Sequence, residues 1–248
     1  MAVRTVDSVG FAPHSYNIAV FNIDTSLTSK SVTVCYALYK CKGKGMFKIG
    51  FHTAGSGGNP TGLGRFLSAA GRNPHATQVV VCADGNTGFL DTNPASSVLL
   101  YRRTEIPDGV GGMMPDYPNM DNDPMAEAAS YWERYKEAMH KGFDKAHVWI
   151  QTVNEPNRSV QSADWLGKFS LAQAKLVNAD GYKYMAFGYS TGTPDEGAWE
   201  TAGMLDYLRY CAENPDMAGV CLHEYSLDPK SIQTGYPHLV GRFKQLFD

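Results

Sequence analysis

The chain has 248 residues, 43% of them hydrophobic and 19% charged, with a formal net charge of −3. That balance fits a folded globular protein rather than a disordered one, and with no dense Lys/Arg stripe it excludes a nucleic-acid partner held through phosphates. The length matches one (β/α)8 barrel, so a single main domain is expected.

Residues 1–45 stand apart as an N-terminal β-rich extension, in which Asn17–Ile23 and Ser31–Tyr39 alternate like the strands of a hairpin. Its opening residues lack the apolar stretch of a signal peptide. No run of 18 apolar residues occurs anywhere, so no membrane partner is expected and the compartment stays open. Lys40, Lys42 and Lys44 read as a solvated loop. The five cysteines show no CxxC or Cys/His spacing, which leaves no metal to expect. Cys82 and Cys221, inside apolar runs, read as buried thiols, and a Cys35–Cys41 bridge stays open.

From residue 46 to 248 short apolar runs alternate with polar loops and helical stretches, the pattern of a parallel α/β architecture. The runs are Phe47–His52, Gln78–Ala83, Ser97–Arg102, His147–Val153, Tyr184–Tyr189 and Ala218–Tyr225. Helices are expected over Ala126–His140, over Ser170–Asp180 after a loop holding Trp165, and over Gly203–Asn214. The Gly/Pro/Asp-rich segment 108–123 has the length of a site wall. The fold expected is TIM-barrel-like α/β, with about six βα units.

The fourth run ends abruptly in Asn154-Glu155-Pro156, which a parallel barrel places at the C-terminal rim of its strands. If the pleat persists, Trp149, Gln151, Val153 and Glu155 share one direction. The sixth run ends in His223-Glu224-Tyr225, and alternation puts His223 and Tyr225 on one face with Glu224 turned away. The glycine-rich stretch after His52 has neither GxGxxG in register nor a terminal Gly-Lys-Ser/Thr, so it reads as a rim loop. His52 is then either a ligand contact or a strand cap. Trp165 and Trp199, near loops, are candidates for stacking on sugar rings or for packing, as are Tyr189 and Tyr225, whereas Trp149 inside a strand reads as core. Asp84 and Glu105 are strand-end acids without a motif.

Asn154-Glu155-Pro156, His223-x-Tyr225, Tyr101-Arg102, Trp165-Leu-Gly and Phe187-Gly-Tyr-Ser together resemble clan A retaining glycoside hydrolases over roughly residues 46–248. The resemblance implies a carbohydrate substrate and retaining hydrolysis of a β-linked glycoside. Glu155 would be the acid/base and Asn154 the ligand of the sugar 2-hydroxyl, with His223 and Tyr225 orienting the nucleophile. Two carboxylates and water suffice for that chemistry, so no cofactor is implied. In the clan the nucleophile closes strand seven. Residues 236–248 read as the helix leading to it, with no Thr-Glu-Phe-like motif following, so nucleophile and last two units are expected to be absent from this sequence. That absence favours an alternative, a non-catalytic carbohydrate-binding or assembly protein on a glycosidase scaffold. Six strands also leave two open sheet edges for the hairpin, a second polypeptide or a second copy to cover.

Overall fold

The computed structural model describes residues 20–21, 32–37, 49–54, 79–84, 97–103, 106–108, 110–114, 117–226 and 234–235. Side chains are described for 99–103, 106, 108, 110–112, 117–223 and 234–235. The strands are β1 (Val20–Phe21), β2 (Val32–Ala37), β3 (Ile49–Ala54), β4 (Val79–Asp84), β5 (Ser97–Arg102), β6 (Ile106–Pro107), β7 (Met113–Met114), β8 (Val148–Gln151), β9 (Lys183–Tyr189) and β10 (Ala218–Ser226). The helices are α1 (Pro124–Ala138), α2 (Val160–Ala179) and α3 (Ala202–Glu213), with a 3-10 turn at Ala198–Glu200.

One sheet runs in the order β1-β2-β10-β9-β8-β5-β4-β3, parallel from β3 to β10 and antiparallel where β2 meets β10 and β1 meets β2. Strand and helix alternate explicitly from β5 to β10, four parallel strands with α1, α2 and α3 between them. The N-terminal extension thus contributes two strands to the same sheet and takes the free edge of β10. Among the described residues no ladder joins β1 to β3.

Alternation sorts the strand residues into two buried sets. Leu99, Tyr101, Val148, Ile150, Tyr184 and Leu222 join one core with Trp132 of α1, Phe169 of α2 and Tyr207 of α3. Their sequence neighbours Leu100, Arg102, Trp149, Gln151, Cys221 and His223 lie outside that cluster and are also buried. A sheet buried on both faces is what parallel α/β packing produces, and it makes any polar residue on the second face conspicuous.

Helix α1 starts two residues before the expected Ala126, at Pro124: Asp123 accepts from the N–H groups of Met125 and Ala126, and Pro124 fills the first helical position. Helix α2 starts ten residues earlier than the expected Ser170, at Val160, so Trp165 lies in its second turn and not in a loop. The Asn-Pro-rich lead-in and the mid-helix Gly167 obscure that start, yet Ser159 caps it by accepting from Ser162 N, and Ala163, Leu166, Ser170, Gln173, Ala174 and Val177 fall on one buried stripe.

Gly167 is where α2 and α3 cross: a Cβ there would lie 2.1 Å from the Gly203 carbonyl carbon and 2.3 Å from Met204 N. The approach also lets Asp164 of α2 accept from Gly203 N at 2.8 Å, which supplies α3 with an N-terminal cap that Thr201 does not provide. The Asp164 carboxyl is held below its ordinary value, by the Lys168 ammonium and then by this N–H. Gly167→Ala is expected to separate the helices and cost about 3 kcal/mol, read as a lower urea midpoint at unchanged slope; an unchanged midpoint would show the crossing to be looser.

The far ends of α1 and α2 meet at Asp180, whose Oδ2 accepts from the Trp132 indole at 2.8 Å and from Lys136 Nζ at 3.1 Å. The Trp132 bond chiefly, with Lys136, lowers the Asp180 carboxyl below its ordinary 3.8. A depressed carboxyl stabilises the fold above its unfolded value and loses that contribution as pH falls through the folded value. Asp180→Asn should therefore lower stability at pH 7, by about 0.5–1 kcal/mol once solvent screening of this part-exposed carboxyl is allowed for. The gap from wild type should close on acidification below 3.8; a gap constant with pH would assign the loss to packing.

Candidate functional site

Four strand ends meet at one rim: Arg102 from β5, the residues after β8, Gly188 from β9 and His223 from β10. The site is built from the way β8 stops. Its ladder to β9 pairs Trp149 with Lys183 and Ile150 with Tyr184 and goes no further. The next carbonyls are claimed by α1, where Tyr135 Oη donates to Gln151 O and Tyr131 Oη to Thr152 O, both at 3.1 Å. The chain leaves the strand there, and Val153 turns into the helix-facing core, so the pleat does not carry on to Glu155 as the alternation reading required.

Glu155 reaches the rim by another route. It adopts a left-handed backbone with φ 45°, rare for a residue with a Cβ, and its N–H donates to Gly188 O at 3.0 Å. Gly188 is the extra residue of a bulge: Cys221 pairs with Phe187 and Leu222 with Tyr189, so Gly188 has no partner position on β10. Phe187 and Gly188 both have positive φ, 74° and 59°. The bulge lets Phe187 and Tyr189, stacked 5.1 Å apart, both pack among the helices beside Trp199.

On the other face the glycine leaves room. A Cβ on Gly188 would lie 2.0 Å from Gln151 Nε2 and 3.1 Å from His223 Nε2, so both side chains close over its Cα. His223 is buried and Glu155 half-buried, and His223 Nδ1 lies 3.1 Å from Glu155 Oε1. Arg102 Nη1 lies 3.5 Å from His223 Nε2 and donates a short hydrogen bond to Asn154 Oδ1.

Donor and acceptor roles follow from chemistry. A guanidinium only donates, so the nitrogen facing Arg102 presents its lone pair; in the neutral ring the proton then sits on Nδ1 and points at the Glu155 carboxylate. The same argument turns the Asn154 amide with Oδ1 toward Arg102 and Nδ2 away from it. Gln151 Nε2 donates to Val153 O at 2.9 Å, whereas its buried Oε1 finds no donor among the described residues. The arrangement is a half-exposed carboxyl backed by an imidazole, with a buried permanent positive charge behind both.

The structure brings together Asn154, Glu155 and His223 of the expected site residues. Their contacts differ from the resemblance in one respect, because His223 holds Glu155 itself. Trp165 stacks on Phe169 at 5.3 Å and donates from its indole to Asn122 O, and Trp199 packs edge-on against Phe187 and Tyr189. The backbones of His52, Asp84, Glu224 and Tyr225 lie in strands β3, β4 and β10, and their side chains are outside the described residues, as are Glu105, the Gly55–Gly64 loop, Lys40, Cys41, Lys42, Lys44 and residues 236–248. Arg102, Gln151 and Gly188 were not singled out as site residues. The rule that found Glu155, a polar residue closing an apolar strand run, also points to Arg102. Among the described residues no helix is long and apolar enough to cross a membrane and no group of three His, Cys, Asp or Glu is placed to hold a metal ion.

The bulge carries a prediction. At Gly197, with φ 82° and nothing within 4 Å of its would-be Cβ, alanine should cost only backbone strain, about 1 kcal/mol. At Gly188 the same strain adds to a collision with Gln151, so Gly188→Ala should cost at least about 2 kcal/mol more. Equal losses in thermal unfolding would show that Gln151 moves aside at no cost. Comparison of the chain with models of known protein families, with curated proteins and with solved structures returns no match.

Proposed function

We propose that the rim is the site of a glycoside hydrolase-like protein on a TIM-barrel-like fold of about six βα units, with Glu155 as the acid/base of retaining hydrolysis of a β-linked glycoside. The observation that carries this reading is the Glu155 carboxyl standing half-exposed at the strand ends, 3.1 Å from the Nδ1 of buried His223. General acid–base work needs a carboxyl open to a leaving group on one side and fixed on the other. The left-handed backbone at Glu155 and its bond to Gly188 O provide the fixing, at a conformational cost of the kind that collects at functional positions.

The chain's own residues divide the remaining work. Asn154, with Oδ1 held by Arg102, presents its amide donor for a sugar hydroxyl. His223 holds Glu155 in place and gives it a proton donor. Tyr225 follows His223 by two residues on β10 and belongs to the same face as a further sugar contact, with His52, Trp165 and Trp199 as outer ones.

A second reading is favoured by one specific observation. Retaining hydrolysis requires a nucleophile about 5–5.5 Å from the acid/base, and the carboxyl in the rim bonds described above is that of Glu155, the proposed acid/base itself. A non-catalytic carbohydrate-binding or assembly protein would use the same rim without that group.

Leaving-group dependence separates the two. In Glu155→Gln, hydrolysis of β-glycosides with poor leaving groups should fall by about 100-fold to 10,000-fold, and much less for activated aryl glycosides. Turnover independent of Glu155 removes the acid/base role. Saturable sugar binding without turnover by wild type supports the second reading.

A further inference from the structure

Gln151 is the last residue of β8 and wholly buried, on the sheet face of Arg102 and His223, with Arg102 as its ladder partner on β5. Its carboxamide sits among the parts that fix Glu155. Nε2 donates to Val153 O at 2.9 Å, across the turn by which the chain leaves the strand toward Asn154 and Glu155. A carbonyl only accepts, so that bond sets which way round the amide lies. On the β9 side the same group closes over Gly188, where a Cβ would lie 2.0 Å from Gln151 Nε2 and 3.2 Å from its Cδ, and 3.1 Å from His223 Nε2. Gln151 and His223 thus sit side by side over the glycine whose carbonyl accepts from Glu155 N–H, and the far nitrogen of that imidazole is 3.1 Å from the Glu155 carboxyl.

Folding stability does not account for a glutamine at this place. Its Oε1 is buried with no donor among the described residues, a loss that an apolar side chain of the same length would not incur. The bond to Val153 O offsets that loss without exceeding it, one satisfied carbonyl against one orphaned one. A buried polar group that brings no net stability is what a site holds where position matters more than stability.

We propose that Gln151 is the positioning residue of the rim, holding the Glu155 carboxyl in place through the Val153 carbonyl on one side and the His223 imidazole on the other; the proposal rests on the acid/base reading of Glu155 given above. Gln151 touches no ligand in this role. Its two contacts converge on one carboxyl, the first through the backbone from Val153 to Glu155 and the second through packing beside the ring that holds Glu155 Oε1. Removing the carboxamide releases both together. The left-handed backbone of Glu155 and its bond to Gly188 O are left intact, so the fold persists while the carboxyl loses its alignment, and a displacement of about 1 Å is enough to lower a rate about 100-fold.

The test is Gln151→Met in the full chain, which keeps the length of the side chain and removes the amide. The thermal midpoint should stay within about 4 °C of wild type, since one orphaned carbonyl replaces another. Hydrolysis of β-glycosides with poor leaving groups should fall about 100-fold in kcat at unchanged KM, with activated aryl glycosides nearly unaffected, the pattern of a displaced acid. Full activity overturns the proposal. So does a loss that only follows a lowered midpoint, or a variant that does not fold, because Gln151 then serves folding; a raised KM at unchanged kcat makes it a ligand contact instead. If wild type hydrolyses no glycoside, the acid/base reading falls by itself and NMR of the histidine side chains decides the positioning. The His223 Nδ1 proton should then be observed in wild type and exchange with solvent about 10-fold faster in Gln151→Met; no such resonance in wild type, or equal exchange in both, overturns the proposal.

Discussion

The backbone bond from Glu155 N–H to Gly188 O, 3.0 Å long, joins two irregularities that would each be costly alone. Glu155 has a left-handed backbone and β9 carries a bulge of two positive-φ residues. Without the bulge, Gly188 O would not present itself beyond the last β8–β9 ladder pair; without the left-handed turn, Glu155 N–H would not point back at it. Each conformation supplies the other's hydrogen bond. Because Gly188 has no Cβ, the same bulge lets Gln151 and His223 close over one Cα. Sheet geometry, carboxyl position and imidazole packing therefore share one constraint, and disturbing any of them transmits to the others.

Burial on both faces of the sheet sets the energetic scale of the rim. Arg102 is 5% exposed and His223 3%, in a layer where Leu100, Trp149 and Cys221 are their neighbours by alternation. A buried guanidinium is tolerable only with its hydrogen-bonding capacity met, since removing a partner leaves an uncompensated charge. Asn154 and His223 are two such partners, so the side chains on either side of the Glu155 carboxyl are also those that make Arg102 tolerable. The α1 tyrosines do comparable work from outside: by taking the Gln151 and Thr152 carbonyls they satisfy the backbone where the ladder stops.

Much of this was legible in the sequence because it rests on local periodicity. The hydrophobic runs gave the strands to within a few residues, as Lys183–Tyr189 and Ala218–Ser226 show, and the alternation in Ser31–Tyr39 marked β2. The start of α2 was hidden because Gly167 reads as a breaker, although it is kept for a close crossing with Gly203, a fact of tertiary contact. The site was half legible. Asn154, Glu155 and His223 follow from polar residues closing apolar runs, but alternation reached Glu155 for a reason the structure replaces: the pleat ends at Gln151, and a left-handed residue restores the direction. Phe187-Gly188 carries no local sign that it is a bulge, since that depends on β10 slipping past it.

Strand β2 shows how far register lies beyond local reading: the alternating run marks a strand, but only the ladder sets Val32–Ala37 against Cys221–Ser226, nearly two hundred residues further along the chain. Antiparallel addition of β2 also covers an edge that parallel strands leave open, with backbone hydrogen bonds that need no particular side chain. Edge cover is therefore a property of the β2 backbone, and the register the ladder adopts is what the alternating run by itself does not fix.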